Sequence, residues 1–340
     1  MSRMNRRSLL RYGSLGAVAA GLSSHLNPLS ARALLRPPTT TGPKMLFVFL
    51  RGGLDGLSLV VPEGDSSYAS IRQGLTVTGG QALNGYAKLH PGMSKVHAAY
   101  QAGEAAFFHR MGGPAEYVTR SHFKEMQKFE TGVDAHAHEL ATEGFVPRLL
   151  DLHQPIGGTY ELRGVSHSRY MQRLCQSSHP DRVLVHLRAL EGYGIVPPPT
   201  AQYGPDYQLI ANELDGAFDQ YPASNVLDGL VHETGEVMIA SEPLLEAVRD
   251  NLVHDEVLFP NQFSDIDDNN LDPVLNDAGF FEFSRSMEES LAILLETSAS
   301  VACVEYGGFD NHQNQFPHLD NLLKRLDYAV GSFHEATTAA

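Results

Sequence analysis

The chain has 340 residues and a formal net charge of −15, with 40 acidic residues against 25 basic ones. Nucleic acids and anionic membrane surfaces attract basic faces, so this composition argues against both as partners. Two cysteines, Cys175 and Cys303, are too few for a framework of disulfides. Cys303 lies inside an apolar run and is predicted to be buried, whereas the disulfide state of the pair stays open.

Residues 1–33 are predicted to be a twin-arginine signal peptide. Arg6 and Arg7 precede apolar residues, a short and mildly apolar segment follows, and residues 31–33, Ala-Arg-Ala, supply a cleavage site. The segment is too short to span a bilayer permanently, so no integral membrane span is expected in the mature chain. This pattern predicts recognition by the twin-arginine export machinery and a periplasmic or secreted location. Residues 34–44 contain three prolines and are predicted to be a linker.

A buried strand is predicted at residues 45–50, which are six apolar residues in succession. A charged, glycine-rich tip follows and carries Arg51 and Asp55. Open parallel sheets keep their active sites just beyond the carboxyl ends of their strands. Asp55 is therefore interpreted as the first ligand or anchor of a site, or alternatively as the cap of a short helix.

A second stretch of the same design is predicted around residues 105–109, a short apolar run that glycines interrupt. A helix is predicted after Ser121, which occupies or adjoins its N-cap. The amino terminus of a helix presents free N–H groups that can hold an anion. Ser121 is thus a candidate nucleophile or anion-binding hydroxyl, with Thr119 as a substitute, or it is simply a cap. Arg120 and His122 flank it and, with Arg51, are candidate contacts for an anionic group.

A third strand is predicted at residues 301–306, followed by a glycine-rich tip with Asp310 and His312. An aspartate and a histidine two residues apart on a turn can converge on one metal ion, through oxygen and imidazole ligands. A hydrogen-bonded turn is the alternative interpretation. A long amphipathic helix is predicted next, with its apolar positions at Leu319, Leu322, Leu323, Leu326, Ala329, Val330 and Phe333.

Residues 45–340 are predicted to form a single α/β domain. Further helices are predicted to begin near Gly144 and to cover residues 281–295, whereas residues 157–277 are predicted to be an irregular insertion of helices and loops. Phosphate-cradling loops and a nucleophile elbow are absent from the sequence.

Together these motifs resemble those of the domain of unknown function 1501 family. The resemblance rests on residues 49–58 with Val61-Pro62, on residues 120–123, on the segment from Gly144, and on residues 307–315 with the leucine-rich helix. It covers about residues 45–150 and 280–334. Members commonly carry twin-arginine signals, and the family is grouped with the alkaline-phosphatase-like superfamily of phosphatases, sulfatases and phosphomutases.

The resemblance implies an alkaline-phosphatase-like fold: a mainly parallel sheet with helices on both faces and a two-metal site at the strand ends. It implies Asp55 as first metal ligand, Ser121 as nucleophile, and Asp310 with His312 as a later pair of ligands. Zinc, manganese or calcium would be the divalent metal. Two metal ions would activate the nucleophile and stabilise the oxyanions of an in-line displacement.

The sequence departs from the family pattern after the leucine-rich helix. Related chains continue with another strand, an Asp-Phe-Gly-Arg-like tip and an Asp-His pair, whereas this sequence ends at Ala340. Two functions therefore stand as expectations. One is an exported metal-dependent hydrolase of phosphate or sulfate esters. The other is a non-catalytic exported protein that binds a small anionic or glycan-type ligand on the same fold, or a truncated and inactive fragment.

Overall fold

A computed structural model describes residues 43–109, 111–112, 118–133, 141, 143–152, 162–177, 183–191, 193 and 226–339. Their strands and helices, in chain order, are β1 (Met45–Leu50), α1 (Gly56–Leu59), β2 (Val60–Val61), α2 (Tyr68–Arg72), β3 (Gln81–Ala82), β4 (Lys88–Leu89), α3 (Ser94–Gln101), α4 (His122–Thr131), α5 (Phe145–Leu150), β5 (Gly164–His167), β6 (Val185–Leu187), α6 (Val226–Asn251), α7 (Phe263–Asp268), α8 (Ala278–Glu296), β7 (Val301–Tyr306) and α9 (Gln315–Ala339). The predicted signal peptide, residues 1–33, and the predicted linker up to residue 42 lie outside the described residues.

Four strands form a parallel sheet in the order β1-β7-β5-β6. β7 pairs with β1 from Met45 opposite Val301 to Leu50 opposite Tyr306, and it pairs with β5 on its other side. Residues 301–304 are all buried, as expected for a parallel strand that is covered on both faces. The predicted α/β fold with a mainly parallel sheet is therefore confirmed. β2, β4 and β3 form a separate, small antiparallel sheet.

Helices cover both faces of the parallel sheet. Successive residues of a strand point to opposite faces, so β7 contributes to the core on each side. On one face, Val301 and Cys303 share a cluster with Val146 of α5. On the other face, Val304 and Tyr306 share a cluster with residues of α8 and α9. Each large apolar side chain buried in these clusters stabilises the fold by about 1.5–3 kcal/mol relative to exposure.

Four helices form close to where the sequence predicts them. α4 begins directly after Ser121, and α5 and α8 match the predicted helices near Gly144 and at residues 281–295. Asp277 caps α8 by accepting a hydrogen bond from the amide of Phe280 at 3.0 Å. In α9 the predicted apolar positions that are fully buried are Leu319, Leu322, Leu323, Leu326 and Ala329.

Two stretches differ from the sequence-based expectation. Residues 105–109 are not a strand. Phe107 packs against the core, but Phe108 is 84% exposed, so the apolar run does not form a buried element. The region predicted as helices and loops, residues 157–277, supplies α6 and α7 but also two strands of the main sheet, β5 and β6.

A histidine between two carboxylates ties α8 to the segment after α6. His254 lies 2.7 Å from Glu288 through Nδ1 and 3.3 Å from Asp265 through Nε2. Both carboxylates are almost completely buried, and Glu288 also accepts a hydrogen bond from the Asp255 amide. Burial alone lowers the pKa of His254, but the hydrogen bonds and charges of Glu288 and Asp265 outweigh it and raise the pKa above its ordinary value.

Cys175 and Cys303 are both buried and carry free thiols. They belong to one core cluster, on the face of the sheet that α5 covers. Burial, reinforced by the hydrogen bond to Cys175, raises the pKa of the Cys303 thiol. The predicted burial of Cys303 is confirmed. Among the described residues, no helix combines the length and the apolar character that crossing a membrane requires.

Candidate metal centre

The tips that follow β1 and β7 lie side by side because the two strands are parallel and in register. Hydrogen bonds continue the pairing beyond the strands. The amide of Arg51 donates to the carbonyl of Tyr306 at 2.9 Å, and the amide of Phe309 donates to the carbonyl of Arg51 at 3.3 Å. The first and third predicted tips therefore meet at the carboxyl edge of the sheet, where open parallel sheets bind ligands.

Two glycines bring the first tip into direct contact with its neighbours. Gly52 and Gly53 have φ angles of +107° and +85°, which residues with side chains rarely adopt. A Cβ added to Gly52 would lie 2.6 Å from the backbone nitrogen of Asp310, and one added to Gly53 would lie 2.5 Å from Nδ1 of His122. The absence of both side chains thus positions Asp310 and the His122 ring against the tip.

Three side chains converge beside these glycines: His122, Asp310 and His312. Oδ1 of Asp310 is 3.2 Å from Nε2 of His122 and 2.8 Å from Nε2 of His312. One nitrogen or oxygen atom from each residue lies within 4.8 Å of the others, so the group can hold a metal ion. Two imidazoles and one carboxylate suit zinc and other divalent transition metals, and three protein ligands leave a coordination position open to substrate.

The three side chains line a cavity of about 100 Å³, together with Asp55 and Gln315. The walls also include apolar surface from Phe309 and Leu319. The ligand side chains are open to solvent, with exposed fractions of 44% for His122, 46% for Asp310 and 78% for His312. A small anionic group can therefore reach the ligands without any opening of the fold.

Asp55 lies in this cavity but is not one of the three converging residues. It caps α1 by accepting from the Leu57 amide at 3.1 Å, and its carboxylate forms an ion pair with Arg72. Burial alone raises the pKa of Asp55, but hydrogen bonds from Arg72, Ser58 and Gln315 and the charge of Arg72 outweigh it and lower the pKa. Both sequence-based interpretations of Asp55 apply in part, since it caps a helix and lines the site.

The guanidinium of Arg51, a predicted contact for an anion, is also paired with carboxylates of the protein. It contacts the carboxylate of Glu130 at 2.8 Å and pairs with that of Glu305. Burial alone lowers the pKa of Arg51, but the hydrogen bonds and charges of Glu305 and Glu130 outweigh it and raise the pKa. The structure thus places this predicted anion contact between two carboxylates, where it ties the β1 tip to α4 and β7.

Ser121 occupies the N-cap of α4, as predicted, but its side chain makes no capping hydrogen bond. It adjoins His122 in the chain without lining the cavity.

Arg120 is exposed and has a φ of +58°. Thr119 donates from its amide and hydroxyl to the carboxylate of Glu125, and these bonds, with one from Lys128, lower the pKa of Glu125 to about 2.

The sequence indicates Asp310 and His312 together as candidate metal ligands, whereas it indicates His122 only as a contact for an anion. The signal in the sequence for His122 as a metal ligand is its position one residue after the N-cap of α4, because side chains at the amino terminus of a helix can contact a ligand bound there. Arg72 was missed, since it lies 17 residues from Asp55 and belongs to no motif. Gln315 closes the third motif, yet the 260 residues that separate it from Asp55 conceal their contact.

Comparison of the chain with models of protein families, with curated proteins and with solved structures finds no match. Function must therefore be inferred from the site. The donor set fits one divalent ion at His122, Asp310 and His312. Oδ2 of Asp55 already accepts hydrogen bonds from Arg72, Ser58 and Gln315.

Proposed function

We propose that the protein is a metal-dependent hydrolase of small phosphate or sulfate esters, with one divalent ion held by His122, Asp310 and His312. The observation that carries the proposal is the convergence of these three side chains in one cavity. When bound, such an ion would polarise an ester oxygen and make a water molecule more nucleophilic. The alkaline-phosphatase-like fold implied by the sequence motifs belongs to the same proposal.

Within this scheme each residue has a separate task. His122, Asp310 and His312 would hold the ion, each through one side-chain atom, and would leave a position for the ester. Gly52 and Gly53 keep Asp310 and His122 in register. Ser121 remains the candidate nucleophile, because it adjoins His122 and its hydroxyl caps no helix amide. If Ser121 attacks, the ester oxygen departs with a proton and water later releases the acid group from the serine.

The exposure of the ligands supports a second candidate function, metal-dependent binding of an anion without turnover. Catalytic sites usually exclude water to strengthen their electrostatic interactions. Here the side chain of His312 is 78% exposed. A small anionic or glycan-type ligand that binds the ion and the surrounding surface would need no enclosed cavity.

One set of measurements tests the proposal. Protein purified without chelators should contain close to one zinc or manganese ion per chain, and it should hydrolyse an aryl phosphate or an aryl sulfate. Asp310→Asn should lose both the ion and the activity. Ser121→Ala should keep the ion, and loss of turnover in that variant would establish serine as the nucleophile, whereas retained turnover would assign attack to water. A chain that binds no divalent ion at any concentration up to millimolar would refute the metal centre itself.

The twin-arginine motif supports a further part of the proposal, export to the periplasm or the exterior. The mature chain would then carry a charge near −20, since five arginines of residues 1–33 would be removed from a chain of charge −15. Cell fractionation tests this point, because replacement of Arg6 and Arg7 by lysine should retain the protein in the cytoplasm.

A further inference from the structure

We infer that Arg72, which pairs with Asp55 of the cavity wall, takes the place of a second cation beside this cavity, so that the centre binds one metal ion. The inference rests on the proposed metal centre at His122, Asp310 and His312. It departs from the two-metal site that the family resemblance implies, and it assigns Asp55 to the binding of Arg72 rather than of metal.

Oδ2 of Asp55 has no room for another ligand. It accepts from Arg72, from the hydroxyl of Ser58 at 2.9 Å and from the side-chain amide of Gln315 at 2.7 Å. Oδ1 accepts from the amide of Leu57 at 3.1 Å, the bond that caps α1. A carboxylate oxygen offers about two acceptor sites, so three donors more than fill Oδ2. A metal ion could bind Oδ2 only by displacing one of these hydrogen bonds, and the bond from Arg72 is charge-assisted.

Arg72 is fixed in this position by more than its charge. The same Nη2 that contacts Asp55 also donates to Oγ of Ser58 at 3.0 Å. The side chains of Arg72 and Asp55 are only 15% and 17% exposed, and Ser58 is fully buried. Removal of one partner from an ion pair this well buried leaves an uncompensated charge, which strongly destabilises a protein. The guanidinium is therefore a built-in counter-cation for Asp55, which lines the cavity.

Removal of the guanidinium should expose a cluster of oxygen atoms. Asp55 would contribute a carboxylate, Ser58 a hydroxyl and Gln315 an amide oxygen after rotation of its side chain. Oxygen donors of this kind suit hard cations such as Mg²⁺, Ca²⁺ and Mn²⁺. Replacement of Arg72 by an uncharged residue should accordingly convert a centre for one ion into a centre for two, the second bound more weakly.

The experiment measures how many Mn²⁺ ions the full chain binds, by equilibrium dialysis and elemental analysis at saturating Mn²⁺. We expect one ion for the unmodified chain and two for Arg72→Met. Arg72→Lys, which keeps a cation, should bind one. The double variant Arg72→Met with Asp55→Asn should return to one ion. Asparagine at position 55 no longer offers the carboxylate that would bind the second ion, and no unpaired negative charge remains there. Circular dichroism confirms that each variant is folded.

A second variant decides the question if Arg72→Met does not fold. Asp55→Asn removes less than Arg72→Met does, because asparagine has the same shape and keeps one acceptor oxygen for the Arg72 guanidinium. This variant should still bind one ion with an affinity within about threefold of the unmodified chain. Loss of the ion in Asp55→Asn would overturn the inference, as would two ions in the unmodified chain or one ion in a folded Arg72→Met. No ion in the unmodified chain would instead refute the proposed metal centre, so the two failures are distinguishable.

Discussion

Gly53→Ala should disable the metal centre while leaving the fold largely intact. An alanine Cβ at this position would lie 2.5 Å from Nδ1 of His122, whereas ordinary contact begins at 3.4 Å. The imidazole must therefore retreat by about 0.9 Å, the difference between these two distances. Metal ligands tolerate displacements of only about 0.2 Å, so the substitution removes His122 from the set of three.

The size of the effect follows from this displacement. Loss of groups that merely support a ligand weakens metal binding about 10–100-fold, so loss of the position of a ligand itself should weaken it at least about 100-fold. That factor corresponds to about 2.8 kcal/mol of binding free energy. The φ of +85° adds about 1–2 kcal/mol of backbone strain, which should lower the free energy of unfolding rather than metal affinity.

The assay separates these two effects with a matched control. Gly79 has a φ of +75°, but nothing lies within 4 Å of a Cβ added there. Gly79→Ala should therefore carry the same backbone strain without touching His122. Zinc affinity is measured by competition with a chromophoric chelator, and stability by urea unfolding. Equal zinc affinities for the two variants would refute the argument that Gly53 positions His122.

Two more predictions concern charged groups outside the metal ligands. The pKa of His254 is raised in the fold, so its contribution to stability should be complete below about pH 6.5, its ordinary pKa, and should disappear as the pH rises through the raised value. Urea unfolding from pH 6 to pH 9 tests this prediction. The difference in unfolding free energy between the unmodified chain and His254→Gln should shrink as the pH rises. A constant difference would contradict the ion pairs with Asp265 and Glu288. Arg51→Met should leave the carboxylates of Glu130 and Glu305 uncompensated and lower the free energy of unfolding by about 3 kcal/mol. A change below about 0.5 kcal/mol in thermal or urea unfolding would show that the guanidinium does not stabilise the tip after β1.

The long periodic elements could be predicted from the sequence because their patterns are local. Six consecutive apolar residues define β1, and the leucine spacing defines α9. Strand β5 escaped prediction because it has only four residues, Gly164–His167, and ends on buried Ser166 and His167. His167 has its partners far away in the chain. It lies 3.1 Å from Glu289 of α8, a contact that no local pattern reveals.

The candidate site could be predicted only in part, for a similar reason. Asp310 and His312 lie on one turn, so their spacing already points to a shared ligand. The carboxylate of Asp55 instead pairs with Arg72. Whether a carboxylate binds a metal ion or a guanidinium depends on tertiary contacts, which a local sequence pattern does not reveal. Residues 105–109 illustrate the opposite error. An apolar run becomes a strand only when another strand is available to pair with it, and hydrophobicity alone does not provide that partner.

The pairing of β1 with β7 determines when the sheet can form during synthesis of the chain. Met45 and its partner Val301 are 256 residues apart in the chain. At a synthesis rate of about 5–20 residues per second, β1 leaves the ribosome roughly 13–50 s before the strand that completes it. During that interval its apolar face and its backbone hydrogen-bonding groups need protection from other chains. His122 is likewise synthesised well before Asp310 and His312, so the metal-binding group can assemble only after residues 310–312 have been made.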